Sequence, residues 1–316
     1  MKAWHFTGTG KPLEWVELPD PTPADDQVLI DVTGCGLCHT DVGVLDDEGW
    51  LETLAGLPIV MGHEVAGRIT AVGKGVTDWH VGDRVGVCPT TPAGAPGFTY
   101  NGGFAEKMTV AAGALVAIPD EVSFALGATA TDAGMTAYHA IMTTGGLQPG
   151  MKLGVIGLGG LGQIGVRAAV LKGADVYVAE INKDIWPMAT ELGAKEVSGS
   201  IMDFADKKLD LIVDLAGFGT TTAEAIEAIG RGGRVVQVGM GKLEATVSTK
   251  AMILKKVTLV GSNGGTREDI AGLYELFASG ELDPVTTEIS LEDIPEGLDK
   301  LRRGQVTGRL VACPTP

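Results

Sequence analysis

A glycine fingerprint near the middle of the chain constrains the fold more than any other feature. Residues 157–162 read Gly-Leu-Gly-Gly-Leu-Gly, between an apolar run at 152–156 and a helix-forming stretch at 163–172. A second apolar run, at 175–179, ends in Glu180. A strand, a glycine turn, a helix and an acid in this order predict a βαβ unit that holds a dinucleotide pyrophosphate at the helix N-terminus. This context favours a ligand site over a glycine-rich loop that binds nothing.

Each position of the fingerprint has its own predicted role. Gly157 permits the tight turn, Gly159 lets the backbone approach the pyrophosphate, and Gly162 lets the helix pack close to the strand. Glu180 can accept hydrogen bonds from both ribose hydroxyls and would repel a 2′-phosphate, so the predicted cofactor is NAD rather than NADP. The predicted cofactor-binding residues of this region are Gly157, Gly159, Gly160, Leu161, Gly162 and Glu180.

The composition of the chain bounds the remaining possibilities. A length of 316 residues suggests two domains. The net charge of −16 argues against nucleic acid or an anionic membrane as a partner. Four cysteines are too few for a disulfide framework in a chain this long. The N-terminus lacks the apolar core of a signal peptide, and no apolar stretch is long enough to span a bilayer, so we expect a cytoplasmic protein.

The hydrophobic pattern changes along the chain. The first 120 residues contain short alternating runs and many glycine and proline turns, which predict a compact barrel-like β domain. Alanine-rich helix formers follow at 123–144, and then strands and helices alternate, which predicts a doubly wound parallel sheet. A last apolar run at 309–312 is expected to return to the first domain. Further predicted strands lie at 209–213, 233–238 and 257–261, and predicted helices at 184–192, 222–229, 267–279 and 292–303.

A second chemical feature lies in the β region. Residues 35–41 read Cys-Gly-Leu-Cys-His-Thr-Asp, and Gly-His-Glu follows at 62–64. Covalent haem attachment would need export, a thioredoxin-like pair would sit near a βαβ unit, and a four-cysteine zinc site would need a second pair, whereas Cys88 and Cys313 are isolated. The remaining interpretation is a catalytic zinc site with three protein ligands and an open fourth position.

The motifs, taken together, resemble those of the zinc-dependent alcohol dehydrogenases of the medium-chain dehydrogenase/reductase superfamily over nearly the whole chain. The resemblance implies an α/β protein with a GroES-like β-barrel catalytic domain (1–133 and 263–316), a Rossmann NAD-binding domain (134–262) and a cleft between them. The matching segments are 36–41, 62–67, 82–85, 103–106, 132–138 and 157–162.

The resemblance assigns the zinc ligands. Cys38 and His63 match ligand positions, and Asp132 stands where the family usually has a cysteine. A carboxylate is a good zinc ligand and leaves the same ligand charge as a second thiolate; the alternative is an acid that merely favours a helix N-terminus. Glu64 is expected either to approach the zinc transiently or to be a buried acid beside it. Asp41 matches an acid that orients the histidine.

The resemblance also assigns the proton path and the nicotinamide contacts. Thr40 matches the hydroxyl that takes the alcohol proton and passes it to a cofactor ribose hydroxyl. A histidine often continues this relay, but Gly43 stands at its position, so we expect the relay to end in bulk water. His39 matches a pyrophosphate contact, and Thr136 and Val238 match residues beside the nicotinamide.

Other assignments concern the pocket and a departure from the family. Arg309 matches an arginine that pairs with the pyrophosphate, unless it is a surface residue. Trp50, Pro89 and Phe104 are expected to wall the substrate pocket, although Trp50 could equally be a loop residue packed on the β domain. Relatives often carry a four-cysteine lobe with a structural zinc, but residues 88–102 contain one cysteine, which predicts one catalytic zinc and no structural zinc.

These expectations lead to one predicted function. The chain is expected to transfer a hydride between an alcohol, or the aldehyde or ketone in reverse, and NAD. The alternatives are a zinc-independent quinone or enone reductase of the same superfamily and a non-enzymatic NAD-binding protein. A small-molecule substrate and a homodimer or higher homo-oligomer are the expected partners.

Overall fold

In a computed structural model that describes residues 1–314, the chain separates into two compact units. Residues 1–133 and 266–316 form the first unit, and residues 134–265 form the second. The chain re-enters the first unit at Thr266, three residues later than the expected 263, and Thr266 is the N-cap of the next helix, with its side chain accepting from the Asp269 N–H. Each unit has its own hydrophobic core.

The strands are numbered in chain order. They are β1 (Lys2–Phe6), β2 (Glu14–Glu17), β3 (Gln27–Gly36), β4 (Ile59–Val60), β5 (Glu64–Val72), β6 (Arg84–Val87), β7 (Lys107–Ala111), β8 (Leu115–Ala117), β9 (Lys152–Ile156), β10 (Asp175–Ala179), β11 (Glu196–Ser198), β12 (Leu211–Asp214), β13 (Arg234–Gln237), β14 (Thr258–Gly261), β15 (Thr286–Ile289) and β16 (Arg309–Ala312).

The helices follow the same convention. They are α1 (His39–Asp46), α2 (Phe124–Thr129), α3 (Met135–His139), α4 (Gly160–Leu171), α5 (Trp186–Glu191), α6 (Thr220–Ala228), α7 (Thr249–Lys255), α8 (Arg267–Ala278) and α9 (Ile294–Arg302). Short 3₁₀ segments lie at Glu48–Thr53, Ala112–Ala114, Lys183–Ile185 and Ile201–Lys207, and π-helical turns at Ala130–Gly134 and Ala140–Thr144. Within residues 1–314, no helix combines the length and apolar character needed to cross a membrane.

The first unit is built on the long antiparallel pair of β3 and β5. One face of β3 alternates into the core through Val28, Ile30 and Val32, as a strand with one buried face should. The larger sheet has the order β15-β16-β3-β5-β6-β8, with β7 also paired to β3, and β2-β1-β4 form a second sheet. Strand β16 pairs with β3, so the prediction that the last strand returns to the first domain is confirmed.

The second unit is a single parallel sheet. Its order is β11-β10-β9-β12-β13-β14, and every neighbouring pair is parallel. Counted from β9, this is the order 3-2-1-4-5-6 of a doubly wound dinucleotide-binding fold, which confirms the predicted fold class. The predicted strands agree with the observed ones to within two residues at each end. Helix α7 was not predicted, because its seven-residue sequence is too short to show a clear helical period.

The packing around Tyr274 gives the first testable prediction. Tyr274 is buried in the first unit and donates a 2.9 Å hydrogen bond to the Gly127 carbonyl, and a Cβ on Gly86 would overlap its hydroxyl. We therefore expect Gly86→Ala to lower the free energy of unfolding by about 1–3 kcal/mol, the usual cost of overpacking. Gly113→Ala is the control, since its Cβ would meet no atom within 4 Å. Urea unfolding of both variants measures the difference; equal stabilities would contradict the packing argument.

Candidate active site

Cys38 is presented at the start of α1. It is the N-cap of that helix, and its Sγ accepts from the Thr40 N–H at 3.5 Å. The Asp41 carboxylate closes a capping box by accepting from the Cys38 N–H at 2.9 Å. Thr40 Oγ1 lies 3.5 Å from Cys38 Sγ. The predicted ligand and the predicted proton acceptor are therefore held together by one helix start.

His63 enters the same site from the turn that precedes β5. Gly62, the residue before it, has φ +91°, a left-handed conformation that glycine adopts without strain. His63 Nδ1 lies 3.3 Å from Asp41 Oδ1. Burial works to lower the pKa of the imidazole, but Asp41 and Asp132 beside it raise that pKa well above its ordinary value. Asp41 thus contacts both the Cys38 backbone and the His63 ring.

Asp132 completes the cluster from a π-helical turn. Its Oδ2 lies 3.4 Å from His63 Nε2. It does not begin a helix, because α2 starts at Phe124 after the N-cap Ser123 and runs directly into the π turn Ala130–Gly134. The interpretation of Asp132 as a helix N-terminal acid is therefore wrong. Burial favours a higher pKa for this carboxyl, but His63 and then Arg309 hold the pKa well below its usual range.

The donor set fits a zinc ion. The ligand atoms of Cys38, His63 and Asp132 all lie within 4.8 Å of one another. Donors about 2.0–2.2 Å from one tetrahedral zinc lie roughly 3.3–3.6 Å apart, and the 3.4 Å between His63 Nε2 and Asp132 Oδ2 already meets that separation. One thiolate, one imidazole and one carboxylate are ordinary zinc ligands, and three of them leave a fourth position for a substrate oxygen.

Glu64 and Arg309 form a buried ion pair beside these donors. Arg309 is 3% exposed, and its Nε and Nη2 both donate to Glu64 Oε2, the former at 2.8 Å. Arg309 Nη2 also lies 3.2 Å from Asp132 Oδ2. Burial raises the pKa of the Glu64 carboxyl, and Arg309 opposes that rise. The alternative of a surface arginine is therefore wrong, and the guanidinium already has two carboxyl partners, Glu64 and Asp132; the predicted pyrophosphate contact stays a prediction.

The three residues predicted to wall the substrate pocket differ in burial: Phe104 and Pro89 are buried, and Trp50 is half-buried. Phe104 has no exposed surface and packs against Gly62, so it belongs to the core and cannot wall a pocket. Pro89 is also buried. Trp50 is half-buried, and its Nε1 would lie 2.8 Å from a Cβ on Gly43. The indole therefore occupies the space where a histidine side chain at position 43 would begin.

One contact of the site escaped the sequence analysis. The ring centroids of Phe98 and His63 lie 5.3 Å apart with an interplanar angle of 59°. Phe98 is in the shortened interval at 88–102, where its sequence context carries no ligand pattern. Only the three-dimensional approach of two distant segments could reveal this contact.

The glycine fingerprint of the second unit has the geometry of a phosphate loop. Gly157 has φ +94°, Gly159 is the N-cap of α4, and a Cβ on Gly162 would overlap the Gly157 carbonyl oxygen. The Leu158 N–H donates to Glu180 Oε2 at 2.8 Å. The glycines thus allow the turn and the close packing of helix on strand, and Glu180 is fixed at the tip of β10 beside the loop.

The remaining predicted cofactor contacts are distributed over both units. His39 is an exposed residue of α1 in the first unit. In the second unit, Thr136 is a buried residue of α3, and Val238 follows β13 with its N–H donating to the Asp214 carbonyl at 3.0 Å. Gly160 and Leu161 lie in the first turn of α4, where backbone N–H groups lack helical partners.

Comparisons with known proteins agree with this geometry. Residues 24–120 match the family model of the alcohol dehydrogenase GroES-like domain, and residues 160–279 match that of the zinc-binding dehydrogenases. An alcohol dehydrogenase of Geobacillus stearothermophilus is 32% identical over 98% of this chain and 99% of its own length.

Solved structures extend the agreement to the fold. The alcohol dehydrogenase of the hyperthermophilic archaeon Aeropyrum pernix superposes with a TM-score of 0.92 at 28% identity, covering 99% of this chain and 100% of the other. The acetophenone reductase of Geotrichum candidum, in complex with NAD, gives a TM-score of 0.90 at 27% identity over 99% of this chain and 96% of that one. The chain belongs to the alcohol dehydrogenases of the medium-chain dehydrogenase/reductase superfamily.

Proposed function

We propose that this protein is a zinc-dependent dehydrogenase that interconverts alcohols with aldehydes or ketones using NAD, with a single catalytic zinc and no structural zinc. The assembly of Cys38, His63 and Asp132, with donor atoms within 4.8 Å of one another, carries the proposal. Residues 1–133 and 266–316 then form the catalytic domain, and residues 134–265 form the cofactor domain. The substrate is a small-molecule alcohol or carbonyl compound.

The metal-binding residues would be Cys38, His63 and Asp132. A zinc ion held by them would supply a Lewis acid that polarises a bound alcohol or carbonyl oxygen. Asp41 supports the site by fixing the Cys38 backbone and facing His63 Nδ1, which leaves Nε2 for the metal. Glu64 stays beside the donors as the partner of Arg309.

Proton transfer is assigned to Thr40. Thr40 is half-buried and its Oγ1 lies 3.5 Å from Cys38 Sγ, so its hydroxyl is beside the donor set, where it could take a proton from a substrate alcohol. It would accept the alcohol proton and pass it to a cofactor ribose hydroxyl. Gly43 has no side chain that could continue the relay, and the Trp50 indole occupies the space beside it. Water is therefore the proposed next acceptor.

The cofactor would be held by the fingerprint and its neighbours. NAD would be the hydride acceptor, and the backbone N–H groups at the start of α4 would bind its pyrophosphate. Glu180 would accept from the ribose hydroxyls, and Thr136 and Val238 would contact the nicotinamide. His39 and Arg309 are proposed as further pyrophosphate contacts, the second of them secondary to its pairing with Glu64.

The role of Glu180 gives a second testable prediction. We expect Glu180→Ala to lower kcat/KM for NAD by about 10- to 100-fold, the worth of hydrogen bonds to a charged group, and to raise the relative use of NADP. Glu180→Gln keeps an acceptor oxygen and removes the charge, so it should lose less NAD activity while also tolerating NADP. Glu191→Ala, an exposed acid at the end of α5, is the control. Steady-state kinetics with both cofactors measures the outcome; an unchanged NAD/NADP ratio in both variants would refute the assignment.

We also propose a homodimer or higher homo-oligomer that functions in the cytoplasm. Strand β14 is an edge strand of the parallel sheet, and Leu259 on it is exposed, so this edge can pair with a second copy. Within residues 1–314, none of the four cysteines forms a disulfide, as suits a reducing compartment.

The proposed function is tested by measuring metal and activity on one sample. We expect about one zinc per chain by elemental analysis, together with NAD reduction in the presence of small primary or secondary alcohols. A chelator should abolish this activity, and added zinc should restore it. A zinc-free protein that reduces enones with NAD(P)H in the presence of chelator would instead place it among the zinc-independent reductases.

A further inference from the structure

The interval at 88–102 ends against the segment that immediately precedes His63. Three consecutive backbone N–H groups, at its last residue and the two residues that follow, donate to carbonyls of residues 60–62. They are Gly102 to Val60 at 2.7 Å, Gly103 to Gly62 at 2.8 Å and Phe104 to Met61 at 2.9 Å. Residues 95–104, which we call the docking loop, therefore follow the backbone immediately before the histidine.

Glycines allow the docking loop to approach this closely. Gly97 has φ +77°, and a Cβ on it would lie 2.9 Å from the Gly62 nitrogen. A Cβ on Gly102 would overlap the Gly62 carbonyl oxygen. Side chains at these two positions would push the loop away from the histidine, so their absence is what brings the neighbouring residue, Phe98, into the site.

The backbone of Phe98 is held from two sides. Its carbonyl accepts from the Ala55 N–H at 2.8 Å, which ties the docking loop to the segment after Trp50. Its N–H donates to the Ala95 carbonyl at 3.2 Å, and Thr99 Oγ1 closes the same turn by donating to that carbonyl at 3.1 Å. Phe98 is thus a fixed residue of a small, hydrogen-bonded loop.

The Phe98 ring restricts tilting of the His63 imidazole, a motion that the two carboxylates resist only weakly. Asp41 and Asp132 contact the two ring nitrogens of His63 at 3.3 and 3.4 Å. These contacts locate the nitrogens but resist tilting of the ring weakly, because both lie at its edge. The Phe98 ring packs against it at 5.3 Å and 59°, within the range of favourable tilted aromatic pairs.

We propose that Phe98 is a positioning residue for the metal-binding imidazole, and that the docking loop presents it. This inference rests on the proposed zinc site. Phe98 sets the tilt of the His63 ring, and thereby the direction of its Nε2 lone pair, without touching the metal or the substrate. The interval at 88–102, which has one cysteine, thus acts on the catalytic site through the contact of one aromatic ring with His63.

The test compares metal binding in three variants. Phe98→Ala removes the contact, Phe98→Leu keeps apolar bulk without the ring, and Thr99→Ala loosens the same loop without touching His63. Zinc affinity is measured by competition with a chromophoric chelator, and ligand geometry by the visible absorption of the cobalt(II)-substituted protein. Thermal unfolding of the metal-free proteins reports loop stability separately.

We expect Phe98→Ala to weaken zinc binding by about 3- to 10-fold and to shift the cobalt bands, in keeping with the modest strength of an aromatic pair. Phe98→Leu should lie between it and the unsubstituted protein, and Thr99→Ala, which keeps the ring and loosens one turn of the loop, should shift the cobalt bands less than Phe98→Ala. An unchanged affinity and spectrum in Phe98→Ala, or a shift in Thr99→Ala as large as that in Phe98→Ala, would overturn the assignment to the ring while leaving the zinc site intact. An unsubstituted chain that binds neither zinc nor cobalt would overturn the proposed function itself.

Discussion

Replacement of Asp132 by alanine is expected to remove the metal and reduce turnover by at least about a thousandfold. Three protein ligands are the usual minimum for a catalytic zinc, and Cys38 and His63 alone would form a two-ligand site. A metal Lewis acid supplies several kcal/mol of stabilisation, and each 1.36 kcal/mol corresponds to a factor of ten in rate. Zinc content and kcat/KM for NAD reduction, measured on the same preparations, give the result.

Two further variants separate ligand chemistry from packing. Asp132→Cys replaces the carboxylate by a thiolate of the same charge and should retain about one zinc per chain and substantial activity. Asp132→Asn keeps the size but not the charge and should hold zinc less tightly than either. Affinity for NAD should be unchanged in all three, because the fingerprint lies in the other unit. Full zinc content in Asp132→Ala would show that Asp132 is not a ligand.

Local patterns predicted the parts of the fold that depend on neighbouring residues. The fingerprint at 157–162, the strand before it and Glu180 after β10 lie where the spacing placed them, because a βαβ unit is a local structure. The π turn around Asp132 carries no such signal, since no side-chain pattern distinguishes it from a continuing helix. Asp132 is predicted to be a zinc ligand only through the resemblance to a family in which this residue is usually a cysteine.

Contacts between distant segments could not be predicted in the same way. Phe104 lies in a conspicuous motif but is fully buried, whereas Phe98, six residues earlier, packs on the histidine. The difference arises from two glycines that let one loop approach the backbone near Gly62. The sequence assigns Arg309 to the cofactor by position, although its partners, the buried Glu64 and the half-buried Asp132, lie far from it in sequence.

Replacement of Arg309 by methionine is expected to destabilise the first unit by about 3–5 kcal/mol, the usual cost of removing one member of a buried ion pair. Glu64 is fully buried, and its Oε1 has no hydrogen-bond partner within residues 1–314. Arg309 supplies both hydrogen bonds to Oε2. Without the guanidinium, the carboxyl group loses both of these hydrogen bonds and stays buried without the cation that faces it.

The comparison with Arg302 makes this prediction specific. Arg302 also pairs with acids, Asp46 and Asp299, but it lies at the surface, so Arg302→Met should cost no more than about 1 kcal/mol. The double variant Arg309→Met/Glu64→Gln removes both charges and should be more stable than Arg309→Met alone, because the penalty comes from the unpaired acid. Urea unfolding of the metal-free proteins measures all three. If Arg309→Met and Arg302→Met lost the same stability, the buried pair would contribute no more than a surface one, and the position of Arg309 would have to be explained by the cofactor instead.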